Sequence, residues 1–165
     1  MLKKVLTYIL NIVFLLIVVV LQLKVFNNIH VFGTKVNLVA CYVIVTIMVN
    51  SFKRQVYLSM LAGILTDLVL GHTLAKYLVI FTMLSIILES MKNVYKQDTP
   101  FSVAVYTTIG VAIFEVLTLL INIFTEGLTI GIIACVFAVI ESVLINILAA
   151  YVLFFVMAKI NKGME

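Results

Sequence analysis

Charged residues, proline, histidine and tryptophan are all scarce in this chain of 165 residues. Charged side chains make up 11% of it, against roughly a quarter in typical soluble domains. There is one proline, Pro100, and no tryptophan, while hydrophobic residues make up 65% and the mean hydropathy is +1.30. So few charges cannot cover a water-facing surface, and we therefore predict an integral membrane protein. No linker-like tract interrupts the chain, which predicts a single domain over residues 1–165.

The residues needed for familiar active sites are also missing. His30 and His72 do not form a His-Glu-x-x-His pattern, and neither a phosphate-binding glycine loop nor a Gly-x-Ser-x-Gly motif occurs. Cys41 and Cys135 lack the spacing of a metal site or a disulfide framework. Asp67 and His72 are close in sequence, but no nucleophile lies near them. We predict no enzymatic activity, no cofactor and no metal. Because the net charge of +4 is spread in ones and twos between apolar segments, we also expect no nucleic-acid partner.

Six apolar segments are candidates for crossing a bilayer, whose hydrocarbon core needs about 20 helical residues. They do not alternate in polarity as barrel strands do, so we predict an all-α bundle. The third and fourth segments meet at Gly71 and could form one broken hairpin. The first segment resembles a signal peptide but is longer and lacks a cleavage site, which favours a retained helix. The segments are 5–23, 36–52, 56–71, 74–91, 102–124 and 130–158.

Basic residues predict the orientation of these six helices. With both termini in the cytoplasm, eight of the eleven Lys and Arg residues lie inside, as the positive-inside rule requires. The inner group is Lys3, Lys4, Lys53, Arg54, Lys92, Lys96, Lys159 and Lys162, and the outer group is Lys24, Lys35 and Lys76. We therefore expect an N-in, C-in topology.

Small and polar residues recur every four positions in the third segment, at Ser59, Gly63, Asp67 and Gly71. Residues at this spacing share one helix face, and small side chains there allow another helix to approach closely. One interpretation is a packing groove in which Asp67 pairs locally with Lys76 or His72. The other is a site for an outside partner or ligand.

Two glutamates lie within the last two apolar segments. Glu115 shares a face with Asn122, and Glu141 is followed by Ser142 and then Asn146. Because a charged acid costs about 2.5–3.5 kcal/mol at mid-span, we expect these two polar faces to pack together and shield both carboxylates from lipid. The glutamates could be structural hydrogen-bonding groups, could anchor a partner helix or fill a polar cavity, or could relay protons.

The run Gly63-x-x-x-Asp67-x-x-x-Gly71 resembles the signature of the MreD family of rod shape-determining membrane proteins. In that family a Pro-Asn-Leu sequence begins the preceding helix; here it is Val36-Asn37-Leu38, without the proline. A glycine that often follows the run is replaced by Ala75. The chain length, the basic first helix and the six segments also resemble MreD, so the similarity covers essentially the whole chain.

This resemblance implies a non-catalytic component of the cell-wall elongation machinery in the bacterial inner membrane. The implied partners are MreC, the MreB filament, RodA and a class B penicillin-binding protein. The family positions carried over are Asn37, Gly63, Asp67 and Gly71. The small-residue face of the third helix could then receive a partner's transmembrane helix.

Two alternatives belong to other functional classes. MreD is also similar to the substrate-binding subunits of energy-coupling factor transporters, in which case Asp67, His72 and Glu115 would line a vitamin pocket. The short outer loops and the absence of tryptophan weaken that alternative. An ion- or proton-coupled carrier would depend on Glu115 and Glu141 alone.

Overall fold

A computed structural model of the protein describes residues 2–28, 30–31, 34–71, 75–92, 100–126 and 132–162. Each of the six predicted segments contains one helix, so the prediction of an all-helical architecture is confirmed. The only strands in the described ranges are His30–Val31 (β1) and Thr34–Lys35 (β2), which pair antiparallel after a short 3-10 turn. The helices are Leu2–Lys24 (α1), Leu38–Val49 (α2), Phe52–Leu70 (α3), Lys76–Ser90 (α4), Pro100–Glu126 (α5) and Ile132–Lys162 (α6).

Three of these helices are long and apolar enough to cross a membrane. The qualifying spans are Val5–Lys24 in α1, Phe101–Thr125 in α5 and Val139–Asn161 in α6. Most of each span is not buried within the protein, as expected of surfaces that lipid covers. The number of crossings and the N-in, C-in orientation stay predictions.

The short helix α2 forms the centre of the bundle. All of its residues from Leu38 to Met48 are buried, and it contacts each of the other five helices. A helix that is apolar on every side belongs in a core, because no face of it prefers water. Its 12 residues extend about 18 Å, which is well short of a hydrocarbon core of about 30 Å. The two ends of α2 therefore cannot both reach the surfaces of such a core.

At the predicted cytoplasmic end, a partly buried polar cluster joins α3 to α4. Glu89 and Lys92 form an ion pair at 3.0 Å. Gln55 donates to the Glu89 carboxylate at 2.6 Å and accepts from Lys92 Nζ at 3.0 Å. Lys92 also donates to the main-chain carbonyl of Asn50 at 2.8 Å. These contacts hold the start of α3 against the end of α4, in agreement with the predicted helical hairpin.

Candidate functional site

Asp67 joins α3 to the beginning of α4. Its two carboxylate oxygens accept the main-chain N–H groups of Tyr77 and Leu78, each at 2.9 Å. The first N–H groups of a helix have no partner within the helix, and the positive end of the helix dipole favours a carboxylate there. Asp67 thus supplies the N-terminal cap that Ala75, the residue preceding α4, cannot provide. The predicted pairing with Lys76 is wrong: Lys76 Nζ donates to Asn122 Oδ1 instead. His72, the other predicted partner, lies outside the described residues.

Gly63 lies where α4 crosses α3 most closely. A β-carbon at this position would be 2.7 Å from Leu78 N and 2.8 Å from Tyr77 O, and still closer to Leu78 Cα. Real β-carbons do not approach backbone atoms so closely, so only glycine fits. The predicted close approach is therefore present, but the helix that approaches Gly63 is α4 and not a partner's helix. Ser59, on the same face, is buried and donates to Gln55 O of its own helix at 2.8 Å.

Gly71 ends α3 in the left-handed conformation, with φ of 71°. Its N–H donates to the carbonyl of Asp67, and apart from its chain neighbours no described residue has an atom within 4 Å of the position a β-carbon would take. Its requirement is therefore conformational, as is usual for the residue that follows a helix. The signature Gly63, Asp67 and Gly71 encodes, in order, a close helix approach, a cap and a chain reversal.

Ala75 also adopts the left-handed conformation, with φ of 48°. This conformation costs a residue with a β-carbon about 1–2 kcal/mol. We predict that Ala75→Gly raises the free energy of unfolding by up to about 1 kcal/mol, because glycine adopts this conformation without strain. The greater conformational entropy of glycine in the unfolded chain offsets part of this gain. The measurement is a thermal melt in mild detergent with a thiol-reactive dye, since Cys41 is fully buried. Cys135 would first be replaced by alanine. A lower melting temperature for Ala75→Gly would contradict this prediction.

A chain of polar contacts links α5, α6 and the start of α2. Ser142 donates to Glu115 Oε1 at 2.8 Å, and Asn146 Nδ2 lies 3.2 Å from the Ser142 hydroxyl. Asn146 Oδ1 accepts the N–H of Asn37 at 2.9 Å. The side chain of Asn37 in turn caps α2 by accepting the N–H of Ala40 at 2.9 Å. The predicted packing of the two polar faces is thus confirmed for Glu115.

Glu141 differs from Glu115, although both were expected to be shielded. No hydrogen bond or ion pair joins its carboxylate to any described residue, and its side chain is half-buried on α6. The expectation that Glu141 is shielded from lipid stays a prediction, since its side chain is half-buried, like that of Glu115. The serine beside it, Ser142, is buried.

A polar cavity of about 360 Å³ lies at the N-terminal end of α2. All six helices or the segments joining them contribute to it. Its apolar wall includes Val19, Leu23, Val69 and Leu70. Its polar lining includes Gln22, Asn27, Lys35, Asn37, Glu115 and Ser142. On the predicted topology this cavity is on the outer side of the membrane.

Sequence reasoning missed Gln22, which is important for this cavity. Gln22 Oε1 accepts the N–H of Leu38 at 2.7 Å, and Gln22 Nε2 donates to the carbonyl of Val36 at 2.9 Å. One signal could have found it, because Gln22 is the single polar residue between Ile12 and Leu23.

An apolar groove of about 480 Å³ runs between α1 and α6. Phe14, Val18 and Leu21 of α1 form one side, and Ile145, Leu148 and Val152 of α6 form the other. Leu148 and Val152 are 73% and 65% exposed. This groove is open along the surface that lipid or another protein would cover.

The fold is that of an apolar, helical membrane protein. Many of its polar side chains form hydrogen bonds between helices. No group of three His, Cys, Asp or Glu side chains that could hold a metal occurs among the described residues. The family model of the rod shape-determining protein MreD matches residues 2–163. The chain therefore belongs to the MreD family. Members of this family are membrane components that determine rod shape, and the family is not a known enzyme family. Comparison with curated proteins and with solved structures gave no significant match.

Proposed function

We propose that this protein is a non-catalytic, multi-pass component of the cell-wall elongation complex in the bacterial cytoplasmic membrane. In this proposal it binds MreC and, with it, MreB, RodA and a class B penicillin-binding protein. Membership of the MreD family supports the role in cell shape. The observation that supports partner binding is the α1–α6 groove, together with Glu141, to which no described residue bonds.

Glu141 continues the row of α6 residues that lines the groove. Ile145 follows it by four positions and Leu148 by seven, so the three share one helix face. From Glu141 to Val152 the row extends about 17 Å, or roughly three turns. A partner helix seated in the groove would therefore place one side chain next to the Glu141 carboxylate.

The chemistry of this surface defines the partner helix. Its apolar side must fill the groove between α1 and α6, since packing contacts hold helices together in lipid. Near its outer end it should carry a lysine, an arginine or another hydrogen-bond donor, because an unpaired acid in a membrane span is costly. We propose that the transmembrane helix of MreC is this occupant. The face of α3 around Gly63 is not available to a partner helix, because α4 already covers it.

Two substitutions test the groove. Val152→Trp fills it, and Glu141→Gln removes the charge at its end. We expect each to reduce co-purification of MreC about tenfold, equivalent to about 1.4 kcal/mol, while the melting temperature stays that of the unmodified protein. Ile86→Trp is the matched control, because Ile86 is 53% exposed on α4 and does not line the groove.

Unchanged MreC recovery for both groove variants would reject this docking surface. The wider proposal has a separate test, in which the tagged protein is purified from its native membrane and its companions are identified by mass spectrometry. We expect MreC, RodA and the penicillin-binding protein. Recovery of paired ATPases would instead support the energy-coupling factor alternative.

A further inference from the structure

The polar cavity arises from the shortness of α2. Asn37, the cap of α2, bonds to Asn146, which lies near the middle of the 31-residue helix α6. Roughly fourteen residues of α6 precede Asn146, so α6 continues about 21 Å beyond the start of α2. The central position of the bundle is therefore not filled by helix at this end, and the cavity occupies part of that space.

Most polar groups around the cavity already have partners. Both ends of the Gln22 amide are bonded to the backbone around α2. The Ser142 hydroxyl donates to Glu115 and is within reach of Asn146. Asn37 uses both its N–H and its side-chain oxygen. These bonds fix this part of the wall, and the groups that they use are not available to a ligand.

The two charged residues of the lining retain bonding capacity. Glu115 accepts one hydrogen bond through Oε1, and no described residue donates to Oε2. Lys35 is exposed and contacts Asn27 Oδ1 at 3.2 Å through one of its three N–H donors. The cavity therefore presents one acid and one base to any occupant, without a direct ion pair between them.

The apolar part of the lining is located at the ends of α1 and α3. Val69 and Leu70 of α3 are 48% and 42% exposed, and Val19 and Leu23 of α1 complete this part of the wall. A volume of about 360 Å³ falls at the lower end of known ligand sites. An occupant with a compact polar group and an attached hydrocarbon chain matches both parts of the lining.

We propose that this cavity binds the zwitterionic amine–phosphate group of an amphiphile, with the ammonium at Glu115 and the phosphate at Lys35. Charge-assisted hydrogen bonds to the two ends of the zwitterion use the bonding capacity that Glu115 and Lys35 retain. Phosphatidylethanolamine carries this group on a lipid, and phosphoethanolamine is its free form. The cavity shares Val36 with the α1–α6 groove, but Glu115 and Lys35 do not line the groove, so the two proposals can fail independently.

Native mass spectrometry of the full-length protein tests this site. The probes are phosphatidylethanolamine and phosphatidylglycerol with identical acyl chains, added to the detergent-purified protein. We expect one phosphatidylethanolamine per chain, retained about tenfold more strongly than phosphatidylglycerol. Glu115→Gln and Lys35→Gln should each weaken this retention about tenfold. Lys24→Gln is the matched control, because Lys24 is an exposed base at the end of α1 that does not line the cavity.

Each result of this experiment has a defined meaning. Displacement of the lipid by free phosphoethanolamine would support recognition of the polar group alone, and failure to displace it would support recognition of the whole amphiphile. Equal retention of the two lipids would overturn the proposal, as would unchanged retention in Lys35→Gln. Lys35→Gln keeps the test valid if Glu115→Gln fails to fold, because Lys35 is exposed and its replacement should not prevent folding.

Discussion

Replacing Asp67 by alanine is expected to destabilise the protein by about 3 to 5 kcal/mol, because two backbone N–H groups lose a charged acceptor. The groups are those of Tyr77 and Leu78 at the start of α4, and Asp67 itself is only 7% exposed. Water cannot readily replace the carboxylate inside a helix bundle in lipid, so the penalty of an unsatisfied donor remains. The change should appear as a lower melting temperature in the Cys41 thiol-dye assay.

Asp67→Asn separates the two hydrogen bonds. Asparagine keeps one acceptor oxygen and loses the charge. We therefore expect the melting temperature of Asp67→Asn to lie between those of the unmodified protein and Asp67→Ala. Glu141→Gln is the control for removing a membrane acid, and its melting temperature should not change, because Glu141 has no partner among the described residues. A stable Asp67→Ala protein that fails to bind MreC would contradict the capping role and make Asp67 a docking residue.

Replacing Gly63 is expected to have a similarly large effect for a steric reason. The added β-carbon of Gly63→Ala would be 2.7 Å from the backbone nitrogen of Leu78. A backbone cannot rotate away as a side chain does, so α3 and α4 must separate and the Asp67 cap must lengthen. We expect a cost of about 2–3 kcal/mol for alanine, and little folded protein for Gly63→Leu.

Gly71→Ala provides the comparison on the same helix. Among the described residues beyond its chain neighbours, no atom lies within 4 Å of its potential β-carbon, so the requirement at this position is the φ of 71°. Its replacement should therefore cost about 1 kcal/mol, less than that of Gly63. Equal melting temperatures for Gly63→Ala and the unmodified protein would show that α4 does not approach Gly63 in the membrane. In that event the α3 face would again be available to a partner helix.

Several features could be predicted because they depend on local sequence. Long apolar runs predicted the helices, and the break at Gly71 followed from the residue type that ends a helix. The spacing of polar residues in α5 and α6 predicted that Glu115 meets α6, as it does at Ser142. Ser142 and Asn146, four residues apart, share a face of α6 and are both buried, while Glu141 lies about 100° away around the helix.

The partner of a helix face could not be predicted from its pattern. Gly63, Asp67 and Gly71 indicate that a second backbone comes close, but a helix of the same chain and a helix of another protein satisfy that spacing equally well. Only the folded hairpin shows that α4 is the neighbour and that Asp67 caps it. The same limit applies to Lys76, whose contact with Asn122 joins residues far apart in sequence.

The amino-acid sequence by itself determined that the chain is helical, belongs in a membrane and is a member of the MreD family, because composition, apolar length and a short motif are local properties. Tertiary structure alone decided that α2 is central and that its short length leaves a polar cavity at one end. It also decided that Glu115 bonds to Ser142, while no described residue bonds to Glu141. These outcomes depend on which helices become neighbours, and that choice reflects packing and hydrogen bonding summed over the whole bundle.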